Sequence, residues 1–99
     1  MELSRELIAV DLEMTGLQMK TDRILEIGAV RLVDGQLRDT FQTFVNPHRK
    51  IDARITELTG ILPEMVEDAP EAEDALRKFL AFAGDAPFLG HNVIFDYGF

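Results

Sequence analysis

The segment Leu7 to Gly16, L-I-A-V-D-L-E-M-T-G, carries an apolar run straight into two acids, and no other stretch narrows the possible folds as much. Leu7, Ile8, Ala9 and Val10 suit a strand buried on both faces, and side chains two apart on a strand point the same way. Asp11 and Glu13 therefore share a face. Two unit charges about 4 Å apart at an effective dielectric of about 20 repel by roughly 4 kcal/mol, so a fold that builds such a pair usually supplies protons or cations. A divalent metal is the simplest answer. D-x-E alone is short enough to match by accident, and merely solvated acids at a strand end would look the same.

The rest of the chain supplies the frame for that strand. Met14 to Asp22, with Thr15, Gly16, Gln18, Lys20 and Thr21, reads as a loop at its carboxyl end. Arg23 to Val33 is too continuously apolar for a strand with one wet face and belongs centrally in a sheet. Asp34-Gly35 then marks a hairpin, because its turn needs positive φ. In the third strand, alternation predicts Leu37, Phe41 and Val45 on one face and Arg38, Thr40 and Gln42 on the other, with Phe44 out of step as cover for a helix or loop. Asn46-Pro47 closes it.

Ile51 to Val66 reads as a helical corner broken by Gly60 and restarted at Pro63. The spacing of Ala72, Ala75, Leu76, Phe79, Leu80 and Ala83 predicts a helix over 70–83, stopped by Gly84 and packed through Leu76, Phe79 and Leu80. Glu73 with Arg77, and Asp74 with Lys78, have the i,i+4 spacing of ion pairs on its wet face. Phe88, Leu89 and Gly90 form a short buried strand reached through that helix, so a parallel crossover follows. The expected fold class is α/β, a mixed sheet with an antiparallel three-strand meander followed by parallel β/α units. Asn92 caps a further helix whose Ile94, Phe95, Tyr97 and Phe99 still want partners, so the domain reads as incomplete at its C-terminus.

Ninety-nine residues with 46% hydrophobic content allow one small domain. A net charge of -8 argues against a generic nucleic-acid-binding surface, although cations held at one site would let an acidic chain act on a phosphodiester. The loose basic group of Arg49, Lys50 and Arg54 reads as solvated surface. The absence of cysteine excludes disulfides and thiolate metal sites. With no membrane-length apolar run and no signal-like segment at Met1 to Glu6, a cytoplasmic protein with no membrane partner is expected.

Asp96 falls in the first turn of the helix that follows the second buried strand, where ligands of such sheets collect. Asp11, Glu13 and Asp96 can then converge as an oxygen-only site, which selects magnesium or manganese over zinc. Taken alone, Asp96 reads better as no more than an acid favourable at a helix amino end.

D-L-E-M-T-G at Asp11 to Gly16 and H-N-V-I-F-D at His91 to Asp96 resemble the first and second motifs of the DEDD 3′-5′ exonucleases. Within that family the chain is similar to the proofreading exonucleases of bacterial DNA polymerase III, in both separate-subunit and polymerase-embedded forms. I-L-E-I-G-A-V at Ile24 to Val30 and I-T-E-L-T-G-I at Ile55 to Ile61 belong to the same likeness. The resemblance implies a ribonuclease H-like fold and hydrolysis of phosphodiesters from a 3′ end with two divalent cations, magnesium or manganese. It implies that Asp11 bridges the two ions, that Glu13 holds the one that activates water, and that Asp96 helps hold the one by the leaving oxygen. It also implies that Thr15 and Leu17 hold the terminal sugar and wedge beside the last base, with Asn92 and Phe95 lining the site. The implied partners are a single-stranded DNA or RNA 3′ end and DNA polymerase III subunits.

The family's third motif, a fourth acid preceded by a histidine or tyrosine, is missing, which makes residues 1–99 the N-terminal part of one exonuclease domain, expected to be inactive alone. His91 belongs to the second motif and His48 to a loop, so neither stands as the general base. Met14 departs from the threonine frequent in polymerase relatives, and D-L-E-M-T-G also resembles the opening of oligoribonucleases, which leaves DNA against RNA open. Leu17 and Phe95 read equally as core. Two other readings compete: a catalytically inactive binding piece, and a haloacid dehalogenase type phosphatase with a D-x-D-x-T motif. The second fits poorly, because Glu13 stands where that motif has the shorter acid.

Overall fold

Four strands, β1 (Glu6–Met14), β2 (Ile24–Val33), β3 (Gln36–Phe44) and β4 (Phe88–Gly90), form one sheet in the order β3-β2-β1-β4. The computed structural model describes residues 5–16 and 21–90. β1 pairs antiparallel with β2 and parallel with β4, so the acid-bearing strand is central, as its sequence required. Asp34 and Gly35 turn the β2–β3 hairpin with φ of 52° and 80°, the doubly positive geometry that favours this dipeptide. The Asp34 Oδ1 accepts from the Arg5 N–H, and the Asp34 N–H donates to the Arg5 carbonyl, which ties the start of β1 to the hairpin.

Residues opposite each other in a ladder share a face, so the register sorts the sheet. Ile8, Val10, Leu12 and Met14 of β1 lie with Ala29 and Ile27 of β2 on one side, and Ala9, Asp11 and Glu13 lie with Val30, Gly28 and Glu26 on the other. The first side holds the main core. Helix α3 (Ala72–Ala83), the last of three between β3 and β4, packs there through Ala75, Phe79 and Ala83. The two alanines let the helix approach closely, and Phe79 fills the gap with its ring 6.0 Å from Phe41 and 5.2 Å from Phe88.

α3 departs from its sequence expectation at two places. Leu80, expected in the core, is 56% exposed, because the stripe is centred on residues 75, 79 and 83 and Leu80 lies about 100° further round the helix. The helix also begins at Ala72 rather than Pro70, since the Pro70 carbonyl accepts from the Asn46 N–H and holds that residue in the link from the sheet. On its wet face Arg77 reaches both Glu73 and Asp74, so Asp74 pairs at i,i+3 with Arg77 rather than with Lys78.

β3 also corrects the alternation expected of it. Arg31 pairs with Asp39 and Leu32 with Leu37, so Arg38 is an extra, bulged residue. A bulge shifts the strand by one and flips everything before it to the other face. Leu37 therefore lies opposite the side taken by Phe41 and is 61% exposed. Beyond the bulge the pattern holds, and Val45 is fully buried.

Helices α1 (Ala53–Thr59) and α2 (Pro63–Glu67) build a second cluster in which Ile51, Ile61 and Val66 surround Leu25. Phe44 packs against that cluster, which accounts for its break with alternation. Asp52 caps α1 by accepting from the Arg54 N–H at 2.9 Å, and Gly60 ends it with φ of 77°. Arg31 of β2 bonds the Phe82 carbonyl near the end of α3, pairs with Glu6, and lies 5.0 Å over the Phe82 ring. Among the described residues no helix is long and apolar enough to cross a membrane.

Candidate active site

Asp11 and Glu13 lie near the carboxyl end of β1, on the face away from α3, with Asp11 exposed and Glu13 half-buried. Two residues of strand rise place their Cα atoms roughly 6.5 Å apart. Across the ladder Asp11 faces Gly28 and Glu13 faces Glu26. The Glu26 carboxylate accepts from the Gln42 Nε2 at 2.8 Å, which draws it toward β3 and away from β1. A shallow open groove runs beside Asp11, lined by Ala9, Gly28, Val30, Thr40 and Leu89.

The donors brought together here are carboxylate oxygens, with neither imidazole nor sulfur, a set suited to a hard divalent cation. Among the described residues no group of three or more potential ligands gathers. Asp96, the third expected ligand, lies outside the described residues, as do Leu17, His91, Asn92 and Phe95. His48 sits in the link after β3, with its Nε2 2.6 Å from the Glu71 carboxylate at the head of α3.

Thr15, the first residue after β1, closes the following loop. Its N–H donates to the Arg23 carbonyl at 2.8 Å, its hydroxyl accepts from the Arg23 N–H at 2.9 Å, and the hydroxyl proton goes to the Asp22 Oδ1 at 2.8 Å. Arg49 leans onto the same loop, donating to the Thr21 carbonyl and lying 3.7 Å from the Asp22 Oδ1. Arg49, Lys50 and Arg54 are exposed, as the surface reading expected, and Arg49 is tethered to this loop as well. Asp22 and Arg49 carried no local motif of their own, and only the distances that folding closes bring them to Thr15 and its loop.

A family model for exonucleases of the RNase T type matches residues 8–99. The chain is 46% identical over 94 residues to the PolC-type DNA polymerase III of Clostridium perfringens, covering 95% of this chain and 6% of that protein. It is 48% identical over 97 residues to the PolC-type DNA polymerase III of Caldanaerobacter subterraneus subsp. tengcongensis, covering 98% of this chain and 7% of that one. The chain thus spans a small fraction of the length of these relatives. Among solved structures, exonuclease X in complex with 5′ overhanging duplex DNA aligns with a TM-score of 0.78 and 30% identity, over 93% of this chain and 52% of that one. A product-bound exonuclease I shares the fold, with a TM-score of 0.77 at 22% identity over 95% of this chain and 24% of the other.

Proposed function

The chain belongs to the RNase T family of DEDD-type exonucleases, and we propose that it forms the N-terminal part of a domain that removes nucleotides from nucleic-acid 3′ ends with two divalent cations, magnesium or manganese. The observation that carries this reading is the placement of Asp11 and Glu13 together on the open face of the central strand, beside a groove floored by Ala9 and Gly28. Identity with PolC-type DNA polymerases III, and the DNA complex of exonuclease X, support DNA as the substrate and association with DNA polymerase III subunits; a cytoplasmic location is part of the same proposal.

Asp11, Glu13 and Asp96 would hold the cations. When bound, these supply Lewis acidity to the phosphoryl oxygens and lower the pKa of water. The protein's own residues do the rest. β1 is paired with β2 along its length and with β4 at Ile8–Val10, so the backbone that carries the two carboxylates is set before substrate arrives and less ordering remains to be done on binding. Ala9 and Gly28 keep the space beside Asp11 clear for the scissile end of a strand. Thr15 and Leu17 beyond the acids, with Asn92 and Phe95, are the proposed contacts to the terminal nucleotide.

The test uses labelled single-stranded DNA and RNA oligonucleotides with the full-length protein, in manganese and then in EDTA. Stepwise loss of 3′ nucleotides that EDTA stops, and that Asp11→Ala with Glu13→Ala abolishes, is the expected result. Undiminished cleavage by the double variant would overturn the reading, and the ratio of the two substrates reports the preferred polymer.

A further inference from the structure

We propose that Asp22 and Arg49 are positioning residues, forming a latch with Thr15 and Gly16 that sets the loop after β1 for the terminal nucleotide. This rests on the exonuclease reading above and extends it to two residues of no motif. The Asp22 side chain is only 17% exposed and receives the Thr15 hydroxyl proton. It also lies flat against Gly16. A Cβ built on Gly16 would sit 2.5 Å from Asp22 Oδ2 and 2.8 Å from its Cγ, well inside van der Waals contact. The T-G of the motif is thus a receptor for this carboxylate, with threonine supplying the donor and glycine the room.

The consequence for Thr15 is specific. A hydroxyl has one proton to give, and here it goes to Asp22 while the oxygen accepts from Arg23 and the backbone N–H is spent on the Arg23 carbonyl. Thr15 therefore acts also through the loop it closes, its hydroxyl proton being held by Asp22. Arg49 fastens the far side, so the latch reaches from the third strand's exit to the acid-bearing strand.

In the full-length protein, Asp22→Ala, Thr15→Val and Gly16→Ala are each expected to raise KM for a single-stranded oligonucleotide about tenfold, with kcat within about twofold of wild type, the signature of lost binding rather than lost chemistry. Thr15→Ser keeps the hydroxyl and should restore wild-type KM. Hydrogen exchange at the Arg23 amide should accelerate in Asp22→Ala and not in Thr15→Ser. Unchanged KM in an active Asp22→Ala enzyme would overturn the latch alone, as would a fall in kcat and melting temperature with KM unmoved. A wild type that cleaves nothing would instead overturn the exonuclease reading and the loop's substrate role with it, while the exchange pattern would still show whether the latch exists.

Discussion

Asp11 stands directly opposite Gly28 in the antiparallel ladder of β1 and β2. A Cβ at Gly28 would find nothing nearer than the Asp11 carbonyl at 3.9 Å, so the backbone itself does not demand glycine there. The demand comes from the face. Opposite side chains in such a ladder stand about 4.5 to 5.5 Å apart at Cβ, so any large residue at 28 occupies the space beside the Asp11 carboxylate. Gly28→Ala should fold normally, because glycine inside a strand is itself unfavourable. Gly28→Leu should keep its melting temperature within a few degrees and lose about tenfold or more in kcat/KM, as substrate is displaced from the carboxylates. Equal activity of Gly28→Leu and wild type would show that substrate does not use this groove.

Two carboxylates on one strand face repel in the absence of cations, and their mutual repulsion is relieved when one is neutralised. In EDTA, Asp11→Asn should melt no lower than wild type. In excess manganese the order should reverse, since a ligand that binds only the folded state adds about 2.7 kcal/mol at one hundred times its dissociation constant. Differential scanning calorimetry with and without manganese checks both halves. A wild type whose melting temperature ignores manganese would remove the metal site.

How much of this was legible beforehand follows the range of the signals. The central place of β1, the turn at Asp34-Gly35 and the parallel return through β4 all follow from local patterns that tertiary structure only had to accept. Leu37 and Leu80 did not follow. Leu37 is turned outward by a single extra residue at Arg38, and Leu80 by alanines that shift the buried stripe. Both are facts of packing between elements, to which hydrophobic spacing within one element is blind. Asp11 and Glu13 were readable as a pair because they are two apart on one strand. Asp22 and Arg49 were not, because their relation to Thr15 exists only after the loop folds back.

Arg31 should matter to stability well beyond its count of charges. Its ion pair with Glu6 is half open to solvent and worth little. Its bond to the Phe82 carbonyl satisfies a group that the end of α3 leaves without a helical partner, and its plane lies over the Phe82 ring. Arg31→Ala should cost about 1.5 to 3 kcal/mol by urea denaturation, the range for a hydrogen bond to a charged group. Glu6→Gln should cost under about 0.5 kcal/mol. Equal costs for the two would place the stabilisation in the ion pair.

Phe79 and its neighbour Leu80 give the sharpest contrast between a helix read as a pattern and a helix read as packed. Hydrophobic spacing treats them alike, yet Phe79 is 6% exposed with aromatic partners on two strands, and Leu80 is 56% exposed. Removing a buried phenylalanine forfeits its transfer free energy and leaves a cavity, together about 3 to 5 kcal/mol. The cavity would open between Phe41 of β3 and Phe88 of β4, which both pack on that ring across the core side of the sheet. Phe79→Ala should therefore lower the urea midpoint steeply and loosen β4 first, seen as faster hydrogen exchange at Leu89. Leu80→Ala removes a side chain that is mostly wet and should cost less than about 1 kcal/mol. A Leu80→Ala variant as damaged as Phe79→Ala would contradict the exposure of Leu80 and re-centre the helix on the stripe that spacing alone suggests.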